Sequence, residues 1–438
     1  MMMMWLTDNQ YNISKADFKE NYPNLSEALI DQTLGSLVDE KNILIFPSHL
    51  GETEDLEQDS KILETVNDRL KTQNLIGFLG YQGEELTIHS RFSQGEQDYF
   101  LHYLLQKVLH INLVDFSVSL SYEEQIYQLL AYLFPYYLQN AMRKGLYKEY
   151  KAFHYNDSNV RGNIDIARHL RENIPFTGRI AYHTREMTFD NPMMNLIRHV
   201  IEVIKQRGAS AHHILEGTPL ITQFVAEVIA ATPNYNLFDR AKVVRQNRLN
   251  PIKHAYYHEY RQLQRLCLMI LERREHDLRQ TNDKIHGILF DVSWLWEEFL
   301  AMLLTEDYIH PNNRKKTGGV SFFSSRTHTV YPDFYRKDKK LILDAKYKRL
   351  ETSKKGIARE DLYQLTSYLH ILQADKAGLL YPSTGRTSYN VIGELNGFGG
   401  EIFKVGLKIP EEVVNYTNFV QDMQKVEAVF VEKIRQLS

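Results

Sequence analysis

The chain has 438 residues, 43% of them hydrophobic and 24% charged, a formal net charge of −3 and a single cysteine. This composition holds enough apolar material for two or three cores. It excludes a mostly disordered chain, a low-complexity or collagen-like protein and a disulfide scaffold. No apolar run approaches the ~20 residues a bilayer span needs, and the start, MMMMWLTDNQ, lacks the basic and long apolar regions of a secretory leader. Because Cys267 has no partner within the chain, a reducing, cytoplasmic setting without membrane contact is expected.

Charge is unevenly distributed. From His310 to Glu360 there are 14 Lys and Arg against 5 Asp and Glu, a local balance of +9 that leaves the remainder at −12. A basic segment inside an acidic chain is the footprint expected where a phosphate backbone docks; a solvated basic face gives the same count.

The expected fold class is α+β multidomain, with a mixed N-terminal region (1–115), a mostly helical central domain (116–282) and a C-terminal α/β domain (283–438). Helical spacing covers Leu25–Glu40, and the strand-like ILIF follows at 43–46. An acidic loop comes next at 51–59. Leu75–Leu79 and Glu85–Phe92 read as two strands around Tyr81-Gln82-Gly83, with Gly77, Gly80 and Gly83 as turn glycines rather than a dinucleotide fingerprint. In NPMMNLIRHVIEVI, the residues Met193, Ile197, Val200, Ile201 and Ile204 recur at helical spacing behind Pro192. Further helices are expected at Glu259–Arg274 and Asp283–Leu304. Beyond Pro311, Thr327–Tyr335 and Leu341–Tyr347 form a predicted hairpin around Arg336–Lys340. A helix at Ala358–Leu372, strands at Ala377–Tyr381 and Glu401–Leu407 and a terminal helix after Pro410 complete the pattern.

The stretch YPDFYRKDKKLILDAKYK carries the most chemistry. Side chains alternate along a strand, so Asp344 and Lys346 project to one face beyond the fully apolar LIL, while Asp333 closes the preceding strand. Two acids and a lysine at the end of a buried strand are costly unless paired or metal-bound. Hard oxygen ligands of this kind suit Mg²⁺, with Mn²⁺ as the alternative. The lysine could orient water, favour its deprotonation or neutralise charge in a phosphoryl transition state.

This pattern, P-D-(x10)-D-x-K, resembles the PD-(D/E)XK nuclease superfamily, which implies that Asp333 and Asp344 bind metal and Lys346 assists the attacking water. An acid on the preceding helix and a glutamine on the following one also belong to that superfamily, and Glu297 or Glu298 and Gln364 match them. Trp296-Glu297-x-Phe299 resembles the family's aromatic-acid-x-aromatic pattern, and this resemblance implies Glu297 as catalytic support and third metal ligand. Adjacent helix positions lie about 100° apart, so one of the two glutamates is expected to face the hairpin. Arg314, Lys315, Lys316, Lys348 and Arg349 are the expected DNA phosphate contacts.

The segment from Val160 to Ile204 is similar to the central signature of the McrC family, the nuclease subunit of McrBC-type restriction systems. DAKYK at 344–348, a YQL-x-x-YL helix at 363–369 and an apolar strand ending in Tyr381-Pro382 belong to the same resemblance, which covers about 120–410. It implies a DNA endonuclease subunit acting with a hexameric McrB-like AAA+ GTPase and stimulating its hydrolysis, with 1–115 as a ring-inserting element. The chain agrees in containing no G-x-x-x-x-G-K-S or G-x-x-x-x-G-K-T loop. A non-cleaving activator of such a ring and a stand-alone repair nuclease stay open as alternatives.

Weaker candidates read as structural. His254 and His258, at i, i+4, lack a third zinc ligand, His212-His213 reads as a loop or helix-end pair, and Cys267 lies in the core-like RLCLMIL. Arg161, Gly162, Asp165, Arg185, Asp190 and Asn191 carry turn and helix-start chemistry or, alternatively, a docking surface for the ring or DNA.

Overall fold

The segment LILDA, apolar for three residues and then charged, is the strand Leu341–Ala345 in the computed structural model of the chain, with its first four residues buried. The structure describes residues 4–40, 42–47, 57, 59–93, 98–109, 122–206, 214–276, 285–304, 307–313, 316–351, 357–397, 399–411 and 413–437. Arg314, Lys315, His212-His213 and most of the acidic stretch 51–59 lie outside the described residues. Two compact units emerge, one formed by residues 1–119 with 281–438 and the other by residues 120–280.

In the first unit, Leu341–Ala345 lies inside a six-stranded sheet ordered Tyr308–Ile309, Phe334–Arg336, Leu341–Ala345, Lys376–Ser383, Glu401–Lys408 and Ser388–Glu394. The strand pairs antiparallel with Phe334–Arg336 and parallel with Lys376–Ser383. The parallel pairing requires a crossover, supplied by the helix Arg359–Leu372. That helix buries Leu365 and Leu369 against Ile342, Leu379 and Tyr381. The helix Val292–Leu303 packs on the sheet from its other face, and Trp296, fully buried, donates its indole N–H to the Leu380 carbonyl at 3.1 Å. The terminal helix Tyr416–Arg435 buries Phe419, Met423 and Phe430, and Tyr103 of the helix Tyr99–Leu109 hydrogen-bonds Glu427.

A second sheet in the same unit is ordered Leu6–Thr7, Glu84–His89, Leu75–Tyr81, His286–Asp291 and Asn42–Phe46. The strand His286–Asp291 corrects the single helix expected over Asp283–Leu304: the helix begins at Val292, N-capped by Asp291 through Ser293 N at 2.9 Å. A short apolar run such as GILF has no period that separates strand from helix, and its neighbours lie some 200 residues earlier in sequence. This strand also joins the N-terminal region to the C-terminal one, so the boundary expected at 282/283 does not separate residues 1–115 from the last part of the chain. Gly77 is not a turn glycine. It lies mid-strand at φ +141°, where a Cβ would come within 2.2 Å of the Ile288 carbonyl oxygen. The turn is made by Gln82 and Gly83, both at positive φ.

The second unit contains the helices Tyr122–Met142, Pro192–Lys205, Pro219–Ala231, Arg240–Leu249 and His258–His276, with Cys267 buried in the last. It also contains a sheet that the helical reading missed, Glu149–Asp157 and Asn163–Ile164 flanking Ile180–Thr188. Glu149–Asp157 buries no residue, so the apolar alternation that marks a half-buried strand is absent from its sequence. The edge strand Ser388–Glu394 of the first unit was missed for the same reason.

Candidate functional site

The hairpin register places the two acids opposite each other. Phe334 faces Leu343 and Tyr335 faces Ile342, so the next pair in register is Asp333 with Asp344. Asp344 is 1% exposed, and the Asp333 carboxylate accepts the Ala345 N–H at 2.6 Å, which ties the first acid to the end of the second strand. Alternation then brings Lys346 to the side of the sheet covered by Arg359–Leu372. Its ammonium lies 2.9 Å from Asp344 Oδ2 and donates to Gln364 Oε1 at 3.1 Å. The Lys346 N–H donates to Leu380 O at 2.9 Å, so one carbonyl receives both this strand end and the Trp296 indole.

That shared carbonyl fixes the helix carrying the upstream glutamates. Both approach His310, whose Nδ1 donates to Asp333 O at 2.8 Å and whose Nε2 lies 3.9 Å from Glu297 and 4.0 Å from Glu298. The pair therefore straddles one imidazole instead of one member turning away. Of the two glutamates, Glu297 is the one whose charge bears on Asp333. Burial, then the charges of Asp344 and Glu297, hold the Asp333 carboxyl well above the usual carboxylate range, against the opposing Lys346 and Ala345 N–H. For Lys346, burial alone would lower proton affinity, but Asp344, Asp333 and Asp361 more than reverse it and leave it above the usual lysine range. His310 is also raised: desolvation opposes protonation, while Glu298 and Asp333 favour it more strongly.

Asp361 and His310 belong to this constellation and were not singled out from the sequence. Asp361, 4% exposed, sits one helical turn before Gln364, 4.0 Å from Lys346 and 3.1 Å from Lys348. A buried acid in the first turn of a helix after a D-x-K strand is a signal that could have been read; the approach of His310 depends on the sheet. Tyr347 turns the other way, into a pocket with Ser90 (hydroxyls 2.6 Å apart), Arg91, Phe92 and Phe100, and so anchors the strand end to the N-terminal part of the same unit.

The structure thus brings together Asp333, Asp344, Lys346 and Gln364 and places Glu297 beside Asp333. It does not present all the expected phosphate contacts. Lys348 is engaged by Asp361, and Arg349 lies over the Phe92 ring while donating to Arg91 O, so both close the strand end onto its surroundings. Lys316 remains exposed. In the second unit, Asp165 and Asn191 cap the helices Ile166–Glu172 and Pro192–Lys205, and Asp190 holds Asn195 and Asn234. Gly162 is required where a Cβ would lie 2.2 Å from His183 O, and Arg185 covers Tyr150. His254 is an N-cap outside the helix that starts at His258, so the two do not share a helix face.

Among the described residues, no three His, Cys, Asp or Glu side chains are placed to ligate one ion together. The donor set still fits a hard cation that keeps most of its waters, since Mg²⁺ takes one or two protein carboxylates. Asp333 and Asp344 could supply these, with Glu297 behind Asp333.

A family model described as the McrBC 5-methylcytosine restriction system component matches residues 70–382, more than two thirds of the chain. The chain belongs to the McrBC family. The McrC-like central signature, DAKYK and the YQL helix all fall within the matched residues. No curated protein matches the chain. Among solved structures, a half-complex of Thermococcus gammatolerans McrB AAA+ hexamers with bound McrC is similar at 16% identity and a TM-score of 0.47, covering 97% of this chain and 100% of that one. The Thermococcus gammatolerans McrBC complex is similar at 14% identity and a TM-score of 0.32, covering 70% and 88%. Among the described residues of this McrBC-family chain, no helix is long and apolar enough to cross a membrane.

Proposed function

We propose that this McrBC-family chain is a metal-dependent DNA endonuclease subunit of the PD-(D/E)XK kind, cutting phosphodiesters when assembled with a McrB-like AAA+ GTPase and stimulating its hydrolysis. The observation that carries the reading is the register-opposed pair Asp333 and Asp344, with Lys346 suspended between Asp344 and Gln364. Asp333 and Asp344 would hold Mg²⁺ or Mn²⁺. When bound, the cation supplies Lewis-acid activation of water and neutralises charge on phosphate oxygens.

The chain's own groups do the positioning. An ammonium has three donors; those of Lys346 towards Asp344 and Gln364 leave one to meet a phosphate oxygen or orient the attacking water. A protonated Lys346 stabilises developing negative charge rather than removing a proton. Gln364 holds the lysine, Ala345 N–H holds Asp333, and Trp296 holds Glu297 against the sheet.

The AAA+ partner needs a surface on this chain. Residues 1–115 are the ring-inserting element in this reading, and the second unit adds an exposed apolar set, Ile166, Leu170, Ile174 and Phe176, each more than half accessible. We place ring docking there, since an apolar patch of this kind marks an interaction site.

The test is plasmid cleavage with Mg²⁺, wild type against Lys346→Ala, with and without the AAA+ protein and GTP. Cutting that needs both the motor and Lys346 supports the reading. Cutting by the wild type alone makes the chain a stand-alone nuclease. Stimulated GTP hydrolysis with no Lys346-dependent cutting under any condition makes it a non-cleaving activator.

A further inference from the structure

The run from His310 to Pro332 contains no Asp or Glu, carries Arg314, Lys315, Lys316 and Arg326, and leads directly into Asp333. Within it, Val320–Ser321 and Thr329–Val330 pair as a short antiparallel stem. The stem is tied down: Val320 and Val330 pack on the cluster containing Leu365 and Leu369 of Arg359–Leu372, and Tyr335 OH donates to Gly318 O at 2.9 Å. It is therefore held by the helix that carries Gln364 and by the strand that follows Asp333.

The tip behaves differently. Its backbone is ordered, with Phe322 N donating to His328 O at 2.8 Å and Arg326 N to Phe323 O at 2.9 Å, and Arg326 and His328 adopt φ +60° and +55°. Left-handed backbone at two non-glycine residues persists only where the surroundings over-determine it, and such strain clusters at functional sites. Yet Phe322 and Phe323 are 45% and 50% exposed, with ring centroids 5.1 Å apart, and Phe323 meets the His328 ring edge-on at 5.4 Å. A hairpin that served only to connect strands would gain nothing from two half-exposed phenyl rings on a hydrogen-bonded tip that carries Arg326.

We propose that this hairpin is a base-stacking platform: Phe322 and Phe323 stack on bases of an unpaired or locally opened DNA strand while Arg326 and Lys316 contact its phosphates, delivering the adjoining phosphodiester to Asp333, Asp344 and Lys346. The acid-free positive charge selects a polyanion. Exposed aromatic faces beside cationic groups select one with bases, because every base offers a π-face for stacking. Continuity of the stem with Asp333 sets where that strand must lie. The proposal rests on the nuclease reading and deepens it.

The test uses the full chain and a fluorescent single-stranded oligonucleotide containing 2-aminopurine, without divalent metal, alongside plasmid cleavage with the AAA+ protein, GTP and Mg²⁺. Phe322→Ala/Phe323→Ala is expected to weaken single-strand binding by about 10- to 100-fold and to abolish 2-aminopurine quenching, with an unchanged melting temperature. Phe322→Trp/Phe323→Trp should keep both signals, and Phe322→Leu/Phe323→Leu should lose them, which separates stacking from apolar contact. Arg326→Ala should reduce the salt dependence by about 0.7 in the log–log slope. Wild-type binding and quenching in the Ala pair, or in the Leu pair, overturn the platform while Lys346-dependent cutting keeps the nuclease reading. The expected losses in a chain that never cuts would support the platform and remove the nuclease reading. A wild type that binds no single-stranded DNA overturns the platform, and the nuclease reading is then decided by whether plasmid cutting depends on Lys346.

Discussion

The strand Lys376–Ser383 buries seven of its eight residues, whereas Glu149–Asp157, in the other unit, buries none of its nine. The first lies between two strands, paired on both edges over Lys376–Leu380, and its side chains are buried. Charged groups at the end of such a sheet are held in place by their surroundings, which suits chemistry that needs fixed distances. The second is paired along one edge and open on its faces, and Ile166, Leu170, Ile174 and Phe176 of the same unit are more than half exposed. The proposed division of labour is buried sheet for reaction and exposed sheet for recognition.

The largest expected effect tests that division. Asp344→Asn or Lys346→Ala should lower single-turnover DNA cleavage by about 10³-fold while leaving AAA+ association and stimulated GTP hydrolysis unchanged. Loss of association in these variants would merge the two roles. The converse change, Ile166→Ser/Phe176→Ser, should weaken association with the AAA+ protein by about 10- to 100-fold. Because both side chains are exposed, stability should stay within about 0.5 kcal/mol per site in urea titration. A large destabilisation would mean that the patch is core.

Asp361→Asn should reduce cleavage by about tenfold, since it releases Lys348 and removes one charge facing Lys346. Asp361→Glu, which keeps the charge, should recover part of that loss. Equal activity of Asp361→Asn and wild type would reduce this acid to packing. Smaller still, Trp296→Phe keeps a ring but removes the bond to Leu380 O, which should cost about 1 kcal/mol of unfolding free energy and lower cleavage several-fold by loosening Glu297.

The smallest effect is acid sensitivity, and both units share it. His89 and His102 in one and His199 in the other are held down to about 4, in each case chiefly by burial of the charged form. Their contribution to stability is present above the ordinary histidine value of 6.5 and is lost as pH falls through about 4. Asp98, raised to about 6 chiefly by burial, works in the opposite sense: its contribution is complete below 3.8 and is lost as pH rises through about 6. Asp8, Asp333 and His310, also raised, act in the sense of Asp98, so the net slope is a balance of the two sets, and the histidine part is isolated by His102→Gln, which should make the urea midpoint fall less, or rise more, than wild type between pH 6.5 and 4. A pH profile of His102→Gln identical to wild type would remove this histidine from the acid response.

Much of the first unit was legible because its determinants are local. The period of DLYQLTSYL is that of the helix Arg359–Leu372, and the apolar run before Asp344 is that of a buried strand. The ten residues between Asp333 and Asp344 suffice for a hairpin, and hairpin register then sets the two acids opposite each other. The choice between Glu297 and Glu298 was not legible, since it depends on the rotation at which Trp296 pins its helix to Leu380 O. Nor was the employment of Lys348 and Arg349, whose partners Asp361, Arg91 and Phe92 are brought close only by the sheet.

By itself the sequence determined the types of groups available, their alternation along a strand and the elements whose period is written in consecutive residues, because these follow from covalent geometry and short-range sterics. Tertiary structure alone decided that His286–Asp291 is a strand and not a helical turn, that the N- and C-terminal regions form one unit, and that His310 and Asp361 join the acids and the lysine. Those outcomes depend on burial, on long-range hydrogen bonds and on charges brought within a few ångströms by packing, and such distances exist only once the chain has folded.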